Sequence, residues 1–246
     1  MAAPKRGEIM RRRTPGVLGT DELLTKRLLR LEAKDPAKIV QALEPFVLEP
    51  RRQRLLEVIG KRLASVTVIF EAPHDPHNGA AVVRSCEAFG VQRLHVVERK
   101  ESFLVAATVA RGAQQWIDVA AHPNAKSAID EARAGGFELI AAHPDGELLP
   151  SDLREIPRLA LVLGNERDGI SAELAAACTR AVRVPMRGFV ESLNVSVTAA
   201  ILLSAATTGR EGDLDAKAKE RLYARGLYLS RDRADDLLAK LDVSDT

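Results

Sequence analysis

An α/β fold, built on a parallel sheet with helices on both faces, is what the sequence predicts, and three observations predict it. From Val66 onward, short β-branched runs alternate with stretches of helical periodicity. The 246 residues suit one such domain with helical extensions at its ends. The 46% hydrophobic and 28% charged residues give the balance of a globular chain able to bury a core without disulfide or metal staples.

The elements are expected in the following order. Residues 1–18 carry Arg11-Arg12-Arg13 and then Thr14-Pro15-Gly16, and read as a basic tail. Thr20 is placed to cap a helix with Asp21 and Glu22 in its first turn and Leu24, Leu28 and Leu31 on its apolar face. Residues 37–43 read as a short helix behind Pro36, and 51–63 as a third, with Leu55, Ile59 and Leu63 on one stripe. Strands are expected at 66–70, 94–97, 137–141, 159–163 and 181–184, with helices at 78–89, 125–134, 171–178 and 193–207. The charged segment 213–241 is expected to be helical, with a break at Gly226. The organisation is then a basic helical extension over 1–50, an α/β domain over 51–210 and a helical tail over 211–246.

Charge is uneven. Up to Arg62 there are 15 basic and 8 acidic residues, and the remainder carries a net charge of −5. A basic front end on an acidic body fits a polyanion partner, although solvated helix faces are decorated in the same way. Met1-Ala-Ala-Pro-Lys-Arg offers no apolar signal core, and the longest near-apolar run, 195–206, is too short to span a bilayer. The two cysteines, Cys86 and Cys178, form no disulfide framework. A cytoplasmic protein without membrane attachment is expected.

Ligands on parallel sheets bind beyond the carboxyl ends of the strands, so three loops carry the functional argument. In the first, Asn78 is a good helix cap, and Arg84 lies six residues on among Ala81, Val82, Val83 and Ala88. A guanidinium in such company needs an anionic partner or a route to solvent. His74 and His77 flank prolines with no cysteine cluster nearby, so no metal site is expected there. In the second, a strand ends at Gly164, which permits close backbone approach, and Glu166 is placed to accept from a substrate or pair with Arg84. A plain strand-to-helix connection would look the same. In the third, Ser192 and Asn194 stand at the mouth of an apolar helix, where free N–H groups are on offer. Capping by Ser192 also accounts for them.

Taken in order and spacing, three stretches resemble the motifs of the SpoU (TrmH) family of RNA ribose 2′-O-methyltransferases. They are His77-Asn78 through Arg84-Ser85-Cys86-Glu87-Ala88-Phe89-Gly90, then Leu163-Gly164-Asn165-Glu166 with Gly169, then Pro185-Met186 with Glu191-Ser192-Leu193-Asn194-Val195-Ser196. The resemblance covers about residues 51–209. Arg51-Arg52-Gln53-Arg54, and Gln115-Trp116 followed by His122-Pro123, resemble the members that act on guanosine 18 of tRNA.

The resemblance implies a deep trefoil knot in the C-terminal part of the domain, a rare exception to chain-threading rules. It implies a homodimer with the active site at its interface, and S-adenosylmethionine as cofactor, with Ala142, Gly164, Val184, Met186 and Leu193 lining its pocket. Arg84 would be the catalytic arginine that removes the 2′-hydroxyl proton with help from a substrate phosphate, a demanding role for a group that is ordinarily always charged. Asn78 would support it, and Glu166, Ser192 and Asn194 would order the pocket and the ribose. No metal is implied. Arg51, Arg52, Arg54 and Arg210 are the candidate RNA contacts; of the tail positions that are basic in relatives, Arg210 supplies a charge and Thr208 does not. The implied substrate is tRNA. Ribosomal RNA, or non-catalytic RNA binding on the same fold, are the competing readings.

Overall fold

The computed structural model describes residue 28 and residues 30–71, 73, 75–97, 112–165 and 167–241. The basic tail, the Thr20 cap, His74 and Glu166 lie outside them. The described residues fall into two compact units, Ala64–Arg210 and a second drawn from both flanks of that segment.

The flanking unit is helical. Helix α1, Pro36–Leu43, begins where Asp35 accepts a hydrogen bond from the Ala37 amide at 3.0 Å, with proline in its first turn. Helix α2, Glu49–Gly60, turns Leu55 and Ile59 inward.

Next along the chain comes a six-stranded sheet. Its strands are β1 Leu63–Glu71, β2 Val91–Val97, β3 Asp118–His122, β4 Glu138–Ala142, β5 Leu159–Leu163 and β6 Arg180–Val182. Their spatial order is β3-β2-β1-β5-β4-β6, and the pairs β1·β5, β2·β3, β4·β5 and β4·β6 run parallel. The edge strand β3 escapes sequence reading: Asp118-Val-Ala-Ala-His122 has one β-branched residue beside two alanines.

Helices α3 Pro76–Ala88, α4 Ala125–Ala134, α5 Ala172–Ala177 and α6 Val195–Thr207 complete the α/β unit. Ile69, Val97, Leu139, Ala160 and Val162 pack with Ala128, Ile129 and Ala132 of α4 and Leu174 of α5 into one core layer. Strand residues of the other parity, including Val68, Phe70, Leu161 and Leu163, are equally buried, so both faces of the central strands are covered. Helices α3 and α6 pack against each other and bury Val82, Val83, Leu202 and Leu203.

The charged tail forms two helices, α7 Ala216–Leu229 and α8 Ala234–Lys240. The break falls at residues 230–233 rather than at Gly226. Gly226 lies inside α7, and a Cβ there would stand 2.6 Å from Leu55 Cδ2. The glycine allows α7 to approach α2 closely. Helix α7 also packs on α1, with Tyr223 Oη donating to Glu44 at 2.7 Å. Helices read from opposite ends of the sequence thus share one core.

Candidate functional site

Three strands of the α/β unit deliver their carboxyl ends to one cleft of about 550 Å³. Each loop that shapes it is held by identifiable bonds.

After β5, Asn165 and Gly169 exchange backbone hydrogen bonds of 3.2 and 3.1 Å. Asn165 is buried, and its Oδ1 accepts from the amides of Arg167 and Asp168 at 2.9 and 2.8 Å. Gly169 takes a φ of 67°, the left-handed region. A Cβ on Gly164 would overlap the Gly169 backbone, so the turn closes only with glycine at 164. Glu71, buried at the end of β1, accepts from the Ser171 amide at 2.7 Å, and Ser171 caps α5. Sequence reasoning missed the structural work of both Asn165 and Glu71. The signal for Glu71 was a lone charge closing an otherwise uncharged, buried strand, since a buried carboxylate must find donors.

After β4 the chain folds against β6. His143 N donates to Val182 O at 3.0 Å, Leu148 N to Ala181 O at 2.9 Å, and Arg183 N to Leu148 O at 3.0 Å. A Cβ on Gly146 would stand 2.6 Å from the Val182 carbonyl carbon.

The third loop leaves β6 through Val184 and Met186 and returns through Glu191, Ser192 and Leu193 to α6. The cap of α6 is Asn194, not Ser192: Asn194 Oδ1 accepts from Ser196 N at 2.8 Å and Ser196 Oγ at 2.6 Å. Ser192 is left exposed on the cleft wall. The cap of α3 is likewise Asp75, accepting from His77 N at 2.8 Å, rather than Asn78. Relieved of capping, Asn78 accepts from Asn194 Nδ2 at 3.0 Å, which joins the start of α3 to the start of α6.

Ala142, Gly164, Val184, Met186 and Leu193, the residues that the resemblance assigns to the cofactor, all line this cleft, as do Ser192 and Asn194. Arg84 does not line it. It is exposed on α3, roughly 9 Å along the helix axis from Asn78, and makes no hydrogen bond or ion pair among the described residues. Glu166 falls outside the described residues.

The candidate RNA contacts divide. Arg51 donates to Ser230 Oγ at 3.0 Å, Arg52 pairs with Glu49, and Arg54 pairs with Glu57 at 2.8 Å. Arg210 is engaged differently from expectation. Its guanidinium donates to the carbonyls of Ile156, Leu153, Arg154, Pro157 and Ala206, tying the end of α6 to the turn before β5. Such a set of carbonyls accounts for the arginine as a staple rather than a phosphate contact.

One buried polar pair stands apart from the cleft. His95 Nδ1 and His122 Nε2 are 2.9 Å apart on β2 and β3. Burial, reinforced by the Arg93 and His122 charges, pushes His95 down to about 3, and burial lowers His122 as well.

Known proteins share this architecture. The tRNA (guanosine(18)-2′-O)-methyltransferase of Thermus thermophilus is 34% identical over 158 residues, covering 63% of this chain and 80% of its own. The crystal structure of the A. aeolicus TrmH/SpoU tRNA modifying enzyme matches with a TM-score of 0.65 at 27% identity, over 74% of this chain and 96% of that one. The AdoMet-bound rRNA methyltransferase from Sinorhizobium meliloti matches with a TM-score of 0.53 at 27% identity, over 62% of this chain and 59% of that one. The profile of the SpoU rRNA Methylase family matches residues 65–204, which include the whole cleft, and the chain belongs to that family.

Proposed function

We propose that this chain transfers a methyl group from S-adenosylmethionine to the ribose 2′-hydroxyl of guanosine 18 in the D-loop of tRNA, acting as a homodimer in the cytoplasm. The observation that carries the reading is the convergence of the loops after β4, β5 and β6 on one cleft, joined to α3 through Asn78 and Asn194. The named activity of the T. thermophilus relative supports the reaction and target, and the AdoMet-bound neighbour supports the cofactor.

The residues present fit that cofactor. Asn165 Nδ2 is buried without a hydrogen-bond partner among the described residues, a donor left over for an acceptor at the cleft wall. Leu163, Ile170, Val182 and Val195 offer apolar surface to a flat ring. Ala142, Gly164, Val184, Met186 and Leu193 would hold the cofactor, which when bound supplies an electrophilic methyl on a positively charged sulfur. Ser192 and Asn194 orient the ribose. Its 2′-oxygen would thereby be aimed at that methyl, with sulfur as the group that leaves with the electron pair. The hydroxyl proton passes to Arg84 of the second copy, which must hold its guanidine neutral to accept it while a substrate phosphate positions it, because Arg84 does not line the cleft of its own chain. Glu166 completes the set, and alignment supplies much of the rate. No step calls on a metal.

Three further assignments belong to the same proposal. Membership of the family supports a trefoil knot in the C-terminal part of the domain, where hydrogen bonds tie residues 143–148 to β6. Val197 and Ile201, exposed four residues apart on α6, give a second copy an apolar stripe to cover. Methyltransferase chemistry lies within 51–210. The basic segment 1–50 adds RNA affinity, aided by Arg51, Arg52 and Arg54; the exposed carboxylate partners of Arg52 and Arg54 exchange readily for phosphates.

Incubating the full chain with radiolabelled S-adenosylmethionine and separate tRNA and rRNA pools tests the reading. Label in tRNA is expected. Label confined to rRNA moves the substrate, and cofactor-free RNA binding without label rejects the enzyme.

A further inference from the structure

The loop from β6 to α6 reads Val184-Pro185-Met186-Arg187-Gly188-Phe189-Val190-Glu191-Ser192. Met186, Glu191 and Ser192 line the cleft, so both ends of the stretch between them are held at its mouth. Inside that stretch Phe189 is fully exposed, and Val190 is 60% exposed. Around neighbouring Gly188 there is open space within 4 Å of where a Cβ would stand. Arg187 is exposed too and makes no ion pair among the described residues. An aromatic ring and a cation thus project from neighbouring positions on the rim of the cleft, and no described residue covers the ring.

The substrate chemistry matches that pair. A ribose whose 2′-oxygen reaches the cleft carries its base on one neighbouring carbon, C1′, and its 3′-phosphate on the other, C3′, so base and phosphate must both lie at the rim. To present that oxygen the nucleotide must leave its stack, and a protein ring can replace the lost stacking. Val197 and Ile201, exposed on α6, form a separate apolar stripe.

We propose that Phe189 is the platform on which the base of the target nucleotide stacks, with Arg187 engaging the adjoining phosphate. The inference rests on the methyl-transfer reading and names how that site grips its substrate. Because every base has a π face, the device selects an unstacked nucleotide rather than guanine, and recognition of the base edge falls to other residues.

The test compares full-length wild type with Phe189→Ala, Phe189→Leu and Phe189→Trp on an unmodified tRNA transcript. Phe189→Ala and Phe189→Leu should each raise KM for tRNA on the order of tenfold, the scale of one lost base–aromatic stack. Phe189→Trp should stay near wild type. Calorimetric affinity for S-adenosylmethionine and the sedimentation coefficient should not move in any variant. With 2-aminopurine at the target position, binding should quench fluorescence in wild type and Phe189→Trp but not in Phe189→Leu. A leucine variant with wild-type KM and quenching overturns the stacking role, and a changed sedimentation coefficient reassigns the ring to a contact between copies. Wild type that methylates normally while Phe189→Ala does too rejects this inference alone. Wild type that transfers no methyl rejects the underlying reading and the inference with it.

Discussion

Asn194 holds two positions at once, since its Oδ1 caps α6 and its Nδ2 reaches Asn78. Replacing it with alanine removes both bonds and should cost about 1 kcal/mol of unfolding free energy from the cap alone, measured by urea denaturation. Asn78→Ala should cost less, because Asp75 is the cap of α3. Both should slow methyl transfer, and Asp75→Ala should reproduce the capping loss. Equal stability losses in Asn78→Ala and Asp75→Ala would restore Asn78 as the cap. A second residue-scale consequence concerns pH. His95 falls from an ordinary 6.5 to about 3 in the folded chain. The folded state therefore binds fewer protons than the unfolded state across that window. Stability is fully present above it and declines as pH drops from about 6.5 toward 3. By pH 5 this group alone should cost about 2 kcal/mol. His95→Gln should flatten the curve of stability against pH between 7 and 5, and an unchanged slope would place the dependence elsewhere.

At the scale of elements, Gly226 is the sharpest test of the flanking unit. A Cβ there would meet buried Leu55, so Gly226→Ala should destabilise by about 1–3 kcal/mol through overpacking, although alanine is the better helix former. A thermal melt in which the variant is more stable than wild type would show that α7 has room to spare. Composition and rhythm make most of the sheet readable: the strand 159–163 and the helix 125–134 are as expected. Strand β3 is hidden because an alanine-rich edge strand owes its place to pairing with β2 rather than to propensity. The caps differ from expectation by a few residues because Asn78 and Ser192 are chemically fit to cap, while Asp75 and Asn194 stand nearer the true helix starts. Residues of the cleft are legible because their order matches a family pattern. The bracing by Asn165 and Glu71 carries no such obvious mark, since their work is to satisfy backbone donors that become visible only once the chain is folded.

At the scale of the whole molecule, the proposed assembly depends on two surfaces. Val197→Asp with Ile201→Asp should place charges on the exposed stripe of α6, lower the sedimentation coefficient to that of a monomer and abolish methyl transfer. Arg51→Ala with Arg52→Ala and Arg54→Ala should weaken tRNA binding and reduce the slope of log affinity against log salt by roughly one for each phosphate no longer neutralised. An unchanged slope would remove these arginines from the RNA surface. No helix among the described residues is long and apolar enough to cross a membrane.

In the proposed homodimer, Arg84 of one copy meets a methyl donor held by the turns at Gly164 and Leu193 of the other. Mapping 2′-O-methyl positions in tRNA by mass spectrometry, after treatment with wild type or Arg84→Ala, checks this encounter. A methyl on guanosine 18 is expected with wild type and a loss on the order of 100-fold or more with Arg84→Ala, while cofactor affinity stays the same. Wild-type methylation by Arg84→Ala would contradict it.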